Sequence, residues 1–319
     1  SVVQMYAMFF DAKSANPDVS QWVTSKVTNM SQMFNYANAA RLVFPGDDGE
    51  YYTDDDVPMT VTNMDTGVWD TSSVTSMNAM FDKATLANPN VSGFVTSSLT
   101  GSQTAIFRNC EKCEPDVSNW DTSGITKMYA MFRGAFSASP DVSNWDVSHV
   151  TNMGYMFEGA TNANPNMRNW DFSALIDSTY GGALNILRNS GISPRNYSNF
   201  LIAVNETATF LDESMGVVGP NENRVKYYAN AASAIENLEK SSADGGKGWV
   251  IADGGLSDDF VSIWRTTADN EMITVPTNGS GYDYTIDWGD GSPIESITSD
   301  SSPDHTYAKA GDYTIIISG

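Results

Sequence analysis

The chain has 319 residues, of which 41% are apolar and 18% are charged. This is enough apolar material for a packed core and a length typical of about two domains. Its 17 Lys and Arg residues stand against 39 Asp and Glu residues, a net charge of −22. This balance argues against binding to nucleic acid or an anionic membrane, both of which need clustered cations. No apolar run approaches the roughly 18 residues of a membrane span.

An internal repeat of about 25 residues dominates the sequence. The pair Met-Phe recurs, and a Trp or Phe recurs in the same register. One insertion of 22 residues interrupts both series at the same place. The first series is Met8-Phe9, Met33-Phe34, Met80-Phe81, Ile106-Phe107, Met131-Phe132 and Met156-Phe157, and the second is Trp22, Trp69, Phe94, Trp120, Trp145 and Trp170.

Each unit is predicted to hold one short strand and one or two helical turns. Val150, Thr151 and Met153 have β-strand character. Met153, Met156, Phe157 and Ala160 follow the i, i+3, i+4, i+7 spacing of one helix face. A unit of this size cannot bury its own apolar face, so the units are expected to stack as a solenoid with Met, Phe and Trp ladders as its core. A Met stripe can also be a pliable binding surface, but the adjacent Phe favours a core.

The segments 121–132 and 146–157 resemble the repeats of BspA-type leucine-rich-repeat surface proteins of bacteria. The resemblance covers about residues 1–190. It implies an extracellular binding protein or adhesin on the cell surface, without catalytic residues. The unit at 95–107 departs from the pattern at Leu99, Gln103 and Ile106, which predicts a local distortion.

The predicted fold class is therefore an α+β, leucine-rich-repeat-like solenoid with about 25 residues per turn. It would have a helical C-terminal cap and be followed by a small immunoglobulin-like β-sandwich. The predicted domains are the solenoid at 1–189, its cap at 190–255 and the sandwich at 256–319.

The insertion at about 41–62 is the least repetitive part of the predicted solenoid. Six acids could supply oxygen ligands to Ca²⁺, although their spacing does not match an EF-hand. The alternative is a solvated acidic loop. Two tyrosines among the acids suggest ligand recognition, since insertions in repeat proteins often bind. The candidate metal ligands are Asp47, Asp48, Glu50, Asp54, Asp55 and Asp56, and the candidate ligand-binding residues are Tyr51 and Tyr52.

The only two cysteines, Cys110 and Cys113, occupy places that hold small residues in the other units. A Cys-x-x-Cys motif can indicate redox chemistry or half a zinc site. Without a second pair or a thioredoxin-like context, a structural role is favoured. A local disulfide is the candidate pairing if the protein is extracellular.

An Asp follows the Trp in four units, at Asp70, Asp121, Asp146 and Asp171. Stacked carboxylates repel each other, so something must compensate. Each Asp could accept hydrogen bonds from the next Ser or Thr and nearby amides in an Asx turn, or the row could bind cations. The turn is favoured because Val23 and Val95 replace Asp without loss of register.

After Leu187 the period fails. A helical segment is predicted to begin with Ile192–Ile202, followed by an amphipathic helix from Val225 to Leu238 and a last strand at 248–255, as a cap for the open end. Beyond 256, the motifs at 287–292, 305–307 and 310–314 resemble a polycystic-kidney-disease (PKD) module. This resemblance implies an immunoglobulin-like spacer, common in surface proteins.

The function expected from the sequence is that of a secreted or cell-surface binding and adhesion module in a longer protein. The alternative is a structural building block of a surface layer or filament. Its partner would be a surface protein or glycan, or neighbouring copies meeting end to end. His149 and His305 lie in different predicted domains, and no nucleophile elbow or phosphate loop supports an enzyme. Ca²⁺ is the only cofactor considered.

Overall fold

The computed structural model describes residues 2–12, 19, 22–37, 43–44, 57–58, 69–176, 182–209, 214–216, 224–277, 283–298 and 302–319. It contains two compact units. The first comprises Ser1–Lys226 and Ser233–Gly255, and the second comprises Tyr227–Ala232 and Leu256–Gly319.

Short strands predominate among the described elements. The first unit contains β1 (Val43–Phe44), β2 (Val57–Pro58), β3 (Gly101–Ser102), β4 (Ile125–Lys127), helix α1 (Pro194–Thr207), β5 (Ser214–Gly216) and β6 (Val250–Ala252), with helix α2 at Ala232–Glu239. The second unit contains β7 (Phe260–Thr266), β8 (Glu271–Thr274), β9 (Tyr284–Asp287), β10 (Glu295–Ile297), β11 (Asp304–Tyr307) and β12 (Gly311–Ser318).

Successive repeats stack in register through backbone hydrogen bonds, and we call this part the repeat array. In the fifth repeat, the amides of Met128, Ala130, Phe132 and Gly134 donate to carbonyls of the sixth repeat at 2.7–2.9 Å. The amides of Met131 and Arg133 donate three residues back, to the carbonyls of Met128 and Ala130. Alternate amides thus serve the neighbouring repeat and the local turn.

The prediction of an α+β, leucine-rich-repeat-like solenoid with a helical cap is wrong. Within the described residues, turns replace the predicted helix at 153–160, and two isolated bridges of Asn152, to Lys127 and to Gly182, replace the predicted strand. A helix would use its amides internally, whereas here every second amide bonds to the next repeat. Left-handed φ values of 59° at Tyr155 and 72° at Gly159 also break helical geometry.

The predicted cap is not mainly helical. Besides α1 and α2 it contains the parallel pair β5–β6. Helix α1 begins at Pro194, with Ser193 as the N-cap. The helix predicted over Val225–Leu238 is shorter, because Tyr227 bridges Leu256 in extended conformation and α-helix begins only at Ala232.

The apolar positions of the repeat form the core, as predicted. The rings from Phe9 to Phe157 stack in one ladder with centroids 5.4–5.7 Å apart and planes within 8° of parallel. The repeat methionines in the described range are buried, except Met8, which is 44% exposed. The indole N–H of Trp145 donates to Val117 of the preceding repeat at 3.0 Å, and three other tryptophans do the same.

The divergent fourth repeat contains a bulge. It has one extra residue, and the β3–β4 register shifts between Gly101 and Ser102. The fully buried Gln103 compensates with its side-chain amide, which accepts from Met77 N at 2.9 Å and donates to the carbonyls of Thr75 and Thr100 at 2.9 Å. The predicted distortion is therefore confirmed.

The second unit has a four-stranded sheet in the order β10-β9-β12-β7 and a two-stranded sheet of β11 and β8. Its core is built from Val275, Ile286, Trp288, Ile297, Tyr307 and Ile315. The alternation that predicted strands around Ile286 and Ile315 is confirmed by β9 and β12.

Restoring the repeat residue at Gln103 should destabilise the protein. Gln103→Met leaves the buried Met77 amide without its acceptor, so we expect a loss of about 1–3 kcal/mol. Ile106→Met also restores the repeat residue but removes no hydrogen bond, and it should cost less than about 1.5 kcal/mol. Chemical denaturation of both variants measures the difference, and equal losses would contradict the role given to Gln103.

In the second unit, the Tyr307 hydroxyl donates to the Trp288 carbonyl at 2.8 Å inside the core. Tyr307→Phe should lower the free energy of unfolding by about 1–3 kcal/mol because a buried acceptor loses its partner. Tyr313 donates to the Lys309 carbonyl at 2.6 Å at an exposed site. Tyr313→Phe is the matched control and should have a smaller effect; the reverse order in thermal or denaturant unfolding would refute this assignment.

Candidate functional site on the repeat array

The candidate residues of the insertion lie outside the described residues. These are Asp47, Asp48, Glu50, Asp54, Asp55 and Asp56 for Ca²⁺, and Tyr51 and Tyr52 for a ligand. In this segment the structure describes only β1 and β2, which pair antiparallel. Elsewhere in the described ranges, no three His, Cys, Asp or Glu side chains form a group that could hold a metal ion.

Cys110 and Cys113 are joined by a disulfide, with their Cα atoms 5.4 Å apart. Both residues are fully buried in the fourth repeat. Thiol–disulfide exchange requires access of a second thiol to the sulfur. The burial therefore fits a structural bridge between two small-residue positions.

The Asp ladder forms Asx turns, as predicted. Asp121 Oδ1 accepts from the Ser123 amide at 3.0 Å and from its hydroxyl at 2.6 Å. In the same way, a carboxylate oxygen accepts a hydrogen bond from the backbone amide of the Ser two residues later at Asp70, Asp146 and Asp171. The Ser123 hydroxyl is the main cause that lowers the pKa of Asp121, and it outweighs repulsion from Asp146.

A second row of Asx turns precedes the tryptophans. Asp141 Oδ1 accepts from the Ser143 amide at 3.0 Å and from its hydroxyl at 2.7 Å, and the pKa of Asp141 is lowered mainly by that hydroxyl. Asn90 and Ser92 make the same turn with an uncharged acceptor. Glu114, Asp116 and Asp141 border a cavity of about 390 Å³, lined further by Pro115, Ser118, Ser137 and Ser139.

A different chemistry occupies the turns beside the Phe ladder. Aromatic and basic side chains from consecutive repeats form a row there, which we call the turn stripe. Its members are Phe10, Tyr36, Lys83, Arg108, Tyr129, Arg133, Tyr155 and Arg188. Most of them stand one or two residues after the repeat Phe, or after Leu187 in a seventh repeat.

Direct contacts connect three neighbouring members at one end of the turn stripe. The rings of Phe10 and Tyr36 are 6.0 Å apart. The Lys83 ammonium donates to the Tyr36 hydroxyl and lies 4.2 Å from the centre of its ring. Arg108 binds Asp82 through two hydrogen bonds, at 2.8 and 2.5 Å, and this carboxylate raises the pKa of the Arg108 guanidinium.

The other end of the turn stripe is organised by a second carboxylate. Tyr129 and Tyr155 meet edge to face at 5.5 Å, and the Arg133 guanidinium lies 5.1 Å from the centre of the Tyr155 ring. Arg133 pairs with Glu158 at 2.6 Å, and Arg188 approaches the same carboxylate at 3.7 Å. A line of rings and cations therefore runs along the array.

Sequence reasoning missed the turn stripe. A signal was present, since Arg108 and Arg133 directly follow the repeat Phe, and Arg188 follows Leu187. These side chains align on one face only in the turn conformation, whereas the residue spacing predicts a helix at these positions.

In the second unit, His305 stacks on Trp288 with ring centres 4.8 Å apart. Its Nε2 lies 2.7 Å from Asp290 Oδ2. Burial by itself would raise the pKa of Asp290, but hydrogen bonds from Ser292 and His305 outweigh it and lower the pKa to about 2.

Comparison with protein families identifies the family of the repeat array. The family described as "Mycoplasma protein of unknown function, DUF285" matches residues 1–55, 57–105 and 102–181, together more than half of the chain. The chain belongs to this family. The DUF285 match is not a leucine-rich-repeat match, so the BspA-type assignment made from the repeats is not the family shown.

A PKD domain matches residues 265–319, which confirms the predicted PKD-like module. No curated protein and no solved structure matches the chain. The described part of this DUF285 protein has no helix long and apolar enough to cross a membrane. DUF285 repeats joined to a PKD domain are compatible with an extracellular modular surface protein, and PKD domains are typically extracellular.

The Asx turns should couple stability to pH. Because the pKa of Asp141 is lowered in the fold, its contribution to stability is present above the unfolded value of about 3.9 and is lost as pH falls through the folded value. Ser143→Ala should therefore lower the free energy of unfolding at pH 7, by less than about 1 kcal/mol for an exposed pair, and by less at pH 3.

Ser92→Ala is the matched control, since its partner Asn90 does not titrate. It should cost the same at both pH values. Denaturation of the two variants at pH 7 and pH 3 provides the comparison, and an equal pH dependence would contradict the assignment.

Proposed function

We propose that the chain is a non-enzymatic binding and adhesion module of an extracellular surface protein, and that the repeat array contacts its ligand through the turn stripe. The observation that carries the proposal is that the consecutive repeats, from Phe10 in the first to Arg188 in the seventh, each place an aromatic or basic side chain at these turns. Exposed aromatic and Arg side chains are enriched where proteins recognise partners.

The arrangement of the charged groups supports binding rather than catalysis. The carboxylates of the Asp ladder are held in Asx turns by neighbouring serines. The His305–Asp290 pair packs against Trp288 within the second unit. Both arrangements have a local structural explanation.

The alternative, a structural block of a surface layer or filament, has a narrower basis. Phe10 and Tyr6 of the first repeat are about half exposed, as is Met8. Exposed apolar residues of this kind can mark contacts between copies. The turn stripe extends well beyond this end of the array, so we favour a ligand over self-assembly.

The test is binding of the full chain to an array of surface glycans and extracellular proteins, in Ca²⁺ and in EDTA. We expect retention of one ligand class above an unrelated protein of similar negative charge. The EDTA arm examines the proposal that the acidic insertion binds Ca²⁺. Loss of Ca²⁺-dependent binding on joint substitution Asp54→Asn, Asp55→Asn and Asp56→Asn would support it.

Two results would refute the adhesive role. One is the absence of any ligand above the acidic control protein. The other is hydrolytic turnover in a broad substrate screen that a single Asp or Ser substitution abolishes. A concentration-dependent increase in mass by light scattering, without ligand retention, would favour the structural alternative.

A further inference from the structure

The outer side of the turn stripe is positive although the protein as a whole is strongly negative. The Asp82 and Glu158 side chains are only 1% and 13% exposed, whereas their partners Arg108, Arg133 and Arg188 are 32%, 42% and 50% exposed. The carboxylates thus lie beneath the guanidinium groups and hold them in place. Solvent, and any ligand, meets the cations first.

The guanidinium groups keep capacity to bind a ligand. Each has five N–H donors; two of those on Arg108 are used in hydrogen bonds to Asp82, and Arg133 forms an ion pair with Glu158. A planar guanidinium suits carboxylate and sulfate oxygens, which accept two parallel hydrogen bonds. The Lys83 ammonium adds a fourth cation to the same row.

The spacing of the cations follows from the stacking of the repeats. Neighbouring repeats are separated by the 5.4–5.7 Å of the Phe ladder, and the turn stripe takes its side chains from successive repeats. Tyr129 and Tyr155 provide partly exposed rings between the cations, and Tyr36 adds a third ring beside Lys83. The row is therefore linear, repetitive, basic and aromatic.

We propose that the turn stripe binds a linear anionic polysaccharide, with its carboxylate or sulfate groups on Arg108, Arg133, Arg188 and Lys83. Its sugar rings would lie against the tyrosines. This inference rests on the proposed binding function and names the ligand class. A polymer with repeated anions complements a row of cations, which the third, fourth, fifth and seventh repeats provide, and aromatic faces suit the C–H faces of sugar rings.

The experiment compares four probes with the full chain by calorimetry or surface binding. Heparin supplies sulfate groups, polygalacturonate supplies carboxylates, dextran is the neutral polysaccharide and polyglutamate is the acidic polypeptide. We expect binding of heparin or polygalacturonate that weakens as salt rises, with at least about tenfold weaker binding of dextran and polyglutamate. Preference between the first two identifies the anionic group.

The variant that tests the site is Arg133→Gln with Arg188→Gln. It should weaken polysaccharide binding about tenfold or more and flatten its salt dependence. Lys127→Gln with Arg168→Gln is the matched control, because it removes two exposed cations of the same array outside the turn stripe. Its affinity should stay within about twofold of the parent chain.

Lys83→Gln is a second test variant, at the other end of the turn stripe. Unlike the double variant, it leaves no buried carboxylate without a partner, so a loss of binding cannot be ascribed to misfolding. It too should weaken binding several-fold while the melting temperature is retained. Equal losses in the turn-stripe and control variants would overturn the inference, as would polyglutamate binding as tightly as the polysaccharides. The glycan and protein screen could identify a ligand that is uncharged, or one whose affinity is unchanged by the turn-stripe variants. Either result would refute this inference but leave the proposed function standing.

Discussion

The alternation of backbone amides in the turns is the constraint on which the repeat array depends. One amide closes a local turn, and the next donates to the neighbouring repeat, as seen at Met131 and Phe132. This pattern requires left-handed residues on both sides of the Phe, such as Ala130 and Gly134. Left-handed conformation costs an L-residue about 1–2 kcal/mol, which the inter-repeat hydrogen bonds and the buried Phe ladder offset.

Buried backbone groups also keep their hydrogen-bond partners where the repeat departs from its pattern. In the fourth repeat the backbone bulges, and the Gln103 side chain supplies the acceptor and donors that the backbone no longer offers. In the seventh repeat Ala183, Ile186 and Leu187 replace Met, Met and Phe, yet they are buried and accept the same bonds. Variation is tolerated where buried polar groups keep their partners.

The repeats also place negative and positive groups in separate rows on the surface. Carboxylates near the tryptophans are held by serines in Asx turns, whereas the two acids of the turn stripe lie beneath arginines. An acidic chain thereby presents a basic aromatic row on one face. Since successive repeats stack in register, the surface chemistry of both rows is a direct consequence of the stacking.

The sequence by itself determined the period, the buried positions and the Asx turns, because each is carried by residues within one repeat or by their spacing. It also determined the PKD module, whose strands follow apolar alternation around Ile286 and Ile315. The spacing of Met153, Met156 and Phe157 could not distinguish a helix from these turns, since either places the three side chains on one side.

Only the tertiary structure decided between a helix and turns at these positions. The amide of Phe157 finds its acceptor at Ile186 of the next repeat, a partner that exists only after stacking. The same holds for the turn stripe, because Arg108, Arg133 and Arg188 are 25 to 80 residues apart in sequence and share a face only once the turns align them. Local patterns fixed what each repeat buries, while contacts between repeats decided its backbone and what it presents to a partner.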